Sequence, residues 1–213
     1  MILPEHEAKQ LLQKAQIPVA PTTIIDSMEN ARTQAREIGY PVVLKLSTSR
    51  FSHKTDVGGV LLNITDDEAV HQAFTELTQL RERLDPAAAI IIEPMVSPGA
   101  ELFIGFQRHP GFGPVISLGL GGVWLELVKD VAFRLLPAER YDFQEMLTEL
   151  KSWPKLRDGF RHLPAVNADK VVDLMDAIAT FALEQPDTQE MDLNPVMVYS
   201  EHALVVDARI AMK

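Results

Sequence analysis

The sequence predicts a mixed α/β protein with at least two sheets, and three observations carry that prediction. Amphipathic helical stretches alternate with short apolar strands through the first 95 or so residues, the pattern turns strand-rich after about residue 96, and the chain ends in helices followed by two strands. With 213 residues, 46% of them hydrophobic, the chain is long enough for one large domain or two small lobes with a real core. The shift near residue 96 places the expected lobe boundary, giving an N-terminal lobe over 1–95 and a C-terminal lobe over 96–213.

Each element follows from local pattern. Ala8, Leu11, Leu12 and Ala15 recur at helical spacing over residues 5–16, and Ile17-Pro18 stops that helix. Met28, Ala31, Ala35 and Ile38 mark a second helix over 27–38, ended by Gly39-Tyr40-Pro41. Residues 42–47, Val-Val-Leu-Lys-Leu-Ser, form a strand, and a polar, turn-prone loop over 48–57 leads through Gly58-Gly59 to its hairpin partner over 60–64. Val70, Phe74, Leu77, Leu80 and Leu84 give a helix over 67–84, and residues 89–93 a short buried strand. Strands over 101–107, 114–118 and 123–135 follow, the last interrupted near Lys129-Asp130. Helices over 138–150 and 168–184 then precede strands over 191–199 and 203–209.

Composition narrows the function. A formal charge of −10 and a pI near 5.0 argue against a surface built to neutralise a nucleic-acid backbone. The N-terminus lacks a signal-peptide pattern and no apolar run reaches membrane-spanning length, so no membrane association is expected. The absence of cysteine removes disulfides, zinc-thiolate sites and a thiol nucleophile. A cytoplasmic protein is the expectation.

Five constellations carry chemistry. Lys45 lies in the middle of an apolar strand, where a buried ammonium needs an anionic partner; the alternative is a lysine on the solvent face of an edge strand. The loop Ser52-His53-Lys54-Thr55-Asp56-Val57-Gly58-Gly59-Val60 combines donors, a histidine and two glycines, a composition suited to cradling phosphate but also to a plain turn. Glu93-Pro94-Met95-Val96, with Glu101 eight positions after Glu93, offers a carboxylate, backbone groups and an apolar floor to a planar ring; it serves equally as linker packing. Gly119-Leu120-Gly121-Gly122, followed by Glu126, Lys129, Asp130 and Arg134, is either a phosphate-facing wall or a hairpin turn. Glu190, Asp192 and Asn194 alternate onto one strand face, and Asp207 sits in an apolar run; if the two last strands form a hairpin, Asn194 and Asp207 meet and suit a hard cation such as Mg²⁺.

Taken in order, Pro41-Val42-Val43-Leu44-Lys45, the His53-Lys54 loop, Glu93-Pro94-Met95-Val96, the Gly119–Gly122 loop and Asp192-Leu193-Asn194-Pro195 with Asp207 resemble the ATP-grasp domain of ADP-forming (NDP-forming) acyl-CoA synthetases. The resemblance covers nearly the whole chain. It implies an ATP-grasp fold of two α/β lobes clamping ATP or ADP. Lys45, Lys54 and the Gly58-Gly59 turn would face the phosphates, Glu93, Met95 and Val96 the adenine, and Glu101 the ribose or phosphate. Asn194 and Asp207 would hold Mg²⁺. His53 matches the family's relay histidine, and its ten-residue loop is expected to travel between the ATP site and a partner's site with Gly58-Gly59 as hinge. The family's CoA-binding and ligase parts, which carry a further phosphohistidine, have no counterpart in these residues, so a partner subunit or domain is expected. Two rival readings are a nucleotide-sensing module like that fused to some protein acetyltransferases and a carboxylate–amine ligase. The His53-Lys54 and Asn194/Asp207 sets favour the synthetase.

Overall fold

The structure is a computed structural model that describes residues 1–51, 54–122, 128–159 and 165–213. The chain divides into two compact units: an N unit of Ile2–Lys9 and Ala20–Ser97, and a C unit of Met1, Gln10–Val19 and Pro98–Lys213. The first helix, α1 (Glu5–Lys14), gives residues to both.

In the N unit, β1 (Thr23–Ile25), β2 (Val42–Ser47), β3 (Val60–Ile64) and β4 (Ala89–Pro94) form an antiparallel sheet in the order β1-β4-β2-β3. Helices α2 (Met28–Ile38) and α3 (Asp67–Leu84) pack against each other and on this sheet. Both begin on side-chain caps: Ser27 Oγ accepts from the Asn30 N–H at 3.2 Å and Asp66 Oδ1 from the Ala69 N–H at 2.8 Å. Gly39, at φ +88°, ends α2 in backbone that L side chains disfavour. Alternation along the strands decides the two sheet faces. Val42, Leu44, Leu46, Ile90 and Ile92 point into a core with Ala31, Ala35, Phe74 and Leu77. Each such aliphatic side chain contributes roughly 1.5–3 kcal/mol when fully buried. The opposite face carries Val43, Lys45 and Ser47 of β2 beside Ile91 and Glu93 of β4, and it is buried too.

The C unit is built on a six-stranded antiparallel sheet, β10-β8-β5-β6-β7 with β9 on β8. Its strands are β5 (Ala100–His109), β6 (Gly113–Leu120), β7 (Val131–Leu135), β8 (Thr188–Val198), β9 (Ala203–Val205) and β10 (Ala208–Met212). One face, with Leu102, Ile104, Phe106, Ile116 and Leu118 buried, is covered by α4 (Arg140–Glu149) and α6 (Ala168–Glu184); α5 (Trp153–Asp158) packs on α4. Asp130 is buried just before β7 and accepts from the N–H groups of Lys151 and Ser152, both at 2.9 Å. Burial raises its carboxyl, but the hydrogen bonds it accepts from residues 151 and 152 hold it below the ordinary aspartate value.

The structure departs from the sequence reading in three places. β1 and α5 are short elements that periodicity does not flag, because three and six residues hold too few repeats. The strand expected over 203–209 is two strands, and Asp207 lies at the break between β9 and β10. The first half of the strand expected over 123–135, with Glu126, lies outside the described residues. No helix among the described residues is long and apolar enough to cross a membrane.

Candidate functional site

The buried face of the N-unit sheet assembles an ionic network. Lys45, only 4% exposed, directs its ammonium at Glu5 Oε1 and Glu93 Oε2, each at 2.8 Å. Lys9 reaches Glu93 Oε1 at 2.5 Å and Glu5 Oε1 at 3.0 Å, and the Lys54 ammonium donates to Glu5 Oε2. Thr22 Oγ1 donates to Glu93 Oε1 at 2.6 Å. Burial raises the Glu5 carboxyl, yet the ammonium groups of Lys45, Lys54 and Lys9 override it and hold the group well below the usual carboxylate range. Glu5 is therefore ionised at any physiological pH. The solvent-face alternative for Lys45 is excluded.

The local causes are plain. Glu5 and Lys9 are one helical turn apart on α1, so both side chains fall on one face. Lys45 and Glu93 lie on the same face of paired strands, since Val43 is opposite Glu93 and Lys45 opposite Ile91. Ser47, two residues beyond Lys45, accepts from the His6 N–H at 3.2 Å and fixes the first turn of α1 over this face.

Lys54 precedes a single 3₁₀ turn, Thr55–Val57, that Gly58 closes at φ +77°. Gly59 approaches the chain closely: its N–H donates to the Lys54 carbonyl at 2.7 Å, and a Cβ there would stand 3.0 Å from that oxygen. The two glycines close a turn here. His53 and Ser52 lie outside the described residues. Met95 leaves its side chain 37% exposed, while its N–H donates to the Pro41 carbonyl at 3.0 Å; Val96 is half-buried.

The C unit gathers oxygen donors differently. The loop after β6 folds back on β5, with the Gly121 N–H donating to the Glu101 carbonyl at 2.9 Å and the Gly122 N–H to Asn194 Oδ1 at 2.7 Å. A Cβ on Gly121 would run into the Leu102 carbonyl, so only glycine fits there, while Gly122 sits at φ +59° against the movable end of the Glu101 side chain. Across the hairpin the Asn194 N–H donates to the Asp207 carbonyl at 3.2 Å. Glu101, Asn194 and Asp207 thus come together around the glycine loop. Glu190 and Asp192 lie further along the strand, Glu190 paired with Arg209 at 3.0 Å.

This donor set suits magnesium. Among the described residues no group of three or more histidines and acids could hold a metal ion by itself. Mg²⁺ needs less than that, because it is held by one or two carboxylates while nucleotide phosphates and water complete its octahedron. Glu101 and the Asn194 amide oxygen, whose second lone pair is left by the Gly122 N–H, approach the glycine loop, and Asp207 lies across the hairpin from Asn194, so these are the residues that could contribute to such a site.

Sequence reasoning misses Glu5, Lys9 and Thr22. The unmet need of Lys45 for an anion signalled that an acid existed but not which one.

Residues 1–212 match the family described as the ATP-grasp domain, the class of protein that this pair of α/β units represents. The chain is 38% identical over 213 residues to acetate–CoA ligase [ADP-forming] I subunit beta of Pyrococcus furiosus, covering 99% of this chain and 91% of that one. It is 41% identical to acetate–CoA ligase [ADP-forming] II of Archaeoglobus fulgidus but spans only 30% of that longer protein. Among solved structures, it resembles the acetyl-coenzyme A synthetase 1 of Ca. Korarchaeum cryptofilum, described as dinucleotide forming. The complex of that protein with coenzyme A, Ca-AMPCP and HgCl⁺ matches at a TM-score of 0.93 and 40% identity, covering 100% of this chain and 93% of that one. Its complex with coenzyme A and Mg-AMPPCP, the phosphohistidine segment pointing towards the nucleotide binding site, matches at 0.83 and 39%, covering 98% and 92%. The chain belongs to the ATP-grasp family, as an ATP-grasp component of the ADP-forming acyl-CoA synthetases.

Proposed function

We propose that the chain binds Mg-ATP and Mg-ADP between an N lobe of residues 1–95 and a C lobe of residues 96–213, and passes a phosphoryl group between the nucleotide and His53. A CoA-binding partner subunit carrying its own phosphohistidine completes an acid–CoA ligase, with acetate or a related acid as substrate. The observation that carries this reading is the buried network. It seats Lys54, the neighbour of His53, and Lys45 on one shared carboxylate, Glu5, which is the preorganised charge that phosphoryl transfer depends on.

In the ATP-forming direction the nitrogen–phosphorus bond of phosphorylated His53 breaks as a terminal β-phosphate oxygen of ADP bonds to phosphorus. The imidazole leaves neutral after taking up one proton. Lys45 and Lys54 orient the transferring group with the Gly58-Gly59 turn beside them, and Glu93, Met95 and Val96 border the adenine. Glu101, Asn194 and Asp207 are the residues that would hold Mg²⁺, which when bound neutralises phosphate charge. The acidic chain and the absence of a membrane-crossing helix among the described residues accompany a cytoplasmic setting.

The test combines calorimetry with a substitution. Mg-ATP and Mg-ADP bind wild type with comparable affinity, and His53→Ala abolishes acyl-CoA-dependent ATP formation with the partner subunit while nucleotide affinity stays within a few-fold. Retained turnover in His53→Ala, with no acid-labile phosphate on His53 of wild type after Mg-ATP, overturns the reading.

A further inference from the structure

The Glu93 carboxylate is held from three directions, all within the N unit. Its strand, β4, lies between β1 and β2. From β2, Lys45 stands diagonally across the strand pair, and its ammonium donates to Glu93 Oε2 at 2.8 Å. From the β1 side, Thr22 directly precedes the Thr23–Ile92 pair, and its Oγ1 donates to Glu93 Oε1 at 2.6 Å. From α1, Lys9 donates to the same oxygen at 2.5 Å. With Glu93 only 1% exposed, its side chain presents almost no surface to a ligand.

A carboxylate only accepts, along about four lone-pair directions. Three of those are taken here by two ammonium groups and a hydroxyl. To hold an adenine amine or a ribose hydroxyl, Glu93 would have to shed one of these donors, and a loosened buried ammonium costs more than a neutral hydrogen bond restores. An ammonium differs in kind, because its charge acts on a phosphate across space, most strongly where protein and not water lies between. What counts for Lys45 is therefore where its ammonium stands. Its stem is long and flexible, and of its two carboxylate partners Glu5 rides on helix α1, whereas Glu93 stands on the neighbouring strand of the same sheet. Glu93 is the partner that fixes the ammonium relative to its own sheet.

We propose that the Glu93 carboxylate is a positioning residue for Lys45, propped by Thr22 and Lys9, and that Glu93 borders the adenine by its main chain alone; the inference rests on the reading above in which Lys45 faces the nucleotide phosphates. The resemblance assigns Glu93 and Lys45 to opposite ends of the nucleotide, yet their side chains meet. A change in the Glu93 side chain is therefore felt at the phosphates and not at the base. Adenosine, which has no phosphate, is blind to it.

The experiment measures dissociation constants for Mg-ATP and Mg-ADP by calorimetry and for adenosine by NMR titration, in wild type, Glu93→Gln, Lys45→Met and the double variant. Glu93→Gln keeps the shape of the side chain, and Glu5 still serves Lys9 and Lys45. Expected for Glu93→Gln is a roughly ten-fold loss for Mg-ATP and Mg-ADP with adenosine within about two-fold of wild type, and no further loss when it is added to Lys45→Met, the non-additivity of two groups acting as one. Thr22→Val leaves every charge in place and decides the matter if Glu93→Gln does not fold: it should weaken Mg-ADP roughly two- to three-fold, spare adenosine, and have no effect in the Lys45→Met background. Equal losses for adenosine and Mg-ADP, additive losses in the double variant, or wild-type affinity in Glu93→Gln overturns the positioning role while Lys45→Met remains impaired. A Lys45→Met protein that binds Mg-ADP as wild type does overturns the placing of Lys45 at the phosphates, and the role of Glu93 with it.

Discussion

The two units gather their polar groups by opposite means. In the N unit, Glu5, Lys9, Lys45, Lys54 and Glu93 have side chains between 2% and 9% exposed and hold one another. In the C unit, Glu101 is exposed, Asn194 and Asp207 are half-buried, and what orders them is backbone: two glycine N–H groups, a hairpin hydrogen bond, and contacts that leave no room for a Cβ. The first arrangement is fixed because each charge would be costly alone. The second is fixed by chain geometry. In the reading proposed above, the network would serve stability and function together and the oxygen cluster function nearly alone.

The sharpest way to break that contrast is to remove the hub. Glu5→Ala removes one of the two carboxylates that hold Lys9, Lys45 and Lys54, leaving Glu93 to Lys9 and Lys45, and losing one side of a buried ionic group costs about 3–5 kcal/mol. Urea denaturation of the variant should show that loss. A cost under about 1 kcal/mol, the figure for an exposed pair, would place the network in solvent instead.

Acid titration probes the same group without mutation. Because the Glu5 carboxyl titrates below its ordinary value of 4.5 in the folded chain, the stability it contributes is fully present above that value. It is lost as the pH falls from there towards the folded value, where the native carboxylate finally binds its proton. Thermal midpoints of wild type should therefore fall below pH 4.5, and Glu5→Gln, if it folds, should show a shallower fall.

For the C unit, Asp207→Asn should weaken Mg-nucleotide binding roughly ten- to a hundred-fold while free nucleotide binds as before and the melting temperature scarcely moves. Equal losses for both nucleotide forms would make Asp207 a structural residue. The smallest binding effect is expected of Gly122→Ala. At φ +59°, an L side chain costs about 1–2 kcal/mol, and the new Cβ displaces the Glu101 carboxylate. Its diagnostic result is a magnesium-dependent affinity loss larger than the loss of stability implies, measured by calorimetry against chemical denaturation.

The sequence foretells the elements whose cause is local. The helix over 67–84 appears as Asp67–Leu84 and the strand over 42–47 as Val42–Ser47, because periodic apolar residues and clear caps write them into a single stretch. The Asn194–Asp207 hairpin was likewise legible, although the break at Asp207 was not, since β8 changes partner there from β10 to β9. Glu5 and Lys9 were illegible for another reason. On α1 they look like ordinary solvated charges, and only the return of β2 and β4, bringing Lys45 and Glu93 across 40 and 84 positions, turns them into core. The Thr22–Glu93 hydrogen bond hides in the same way, across 71 positions of chain.

That separation in sequence gives the ionic hub a place in time. Contacts between residues 40 and 84 positions apart need loop closure, as does the pairing of β2 with β4. We expect the hub to close late, with its energy absent from the transition state. Interactions of that kind leave the folding rate nearly untouched and slow unfolding instead. In a chevron plot, loss of the Glu5 carboxylate should lift the unfolding limb and leave the refolding limb in place. The charges proposed to ready a phosphoryl site would then also act as a latch on the finished fold, lengthening the lifetime of the native state.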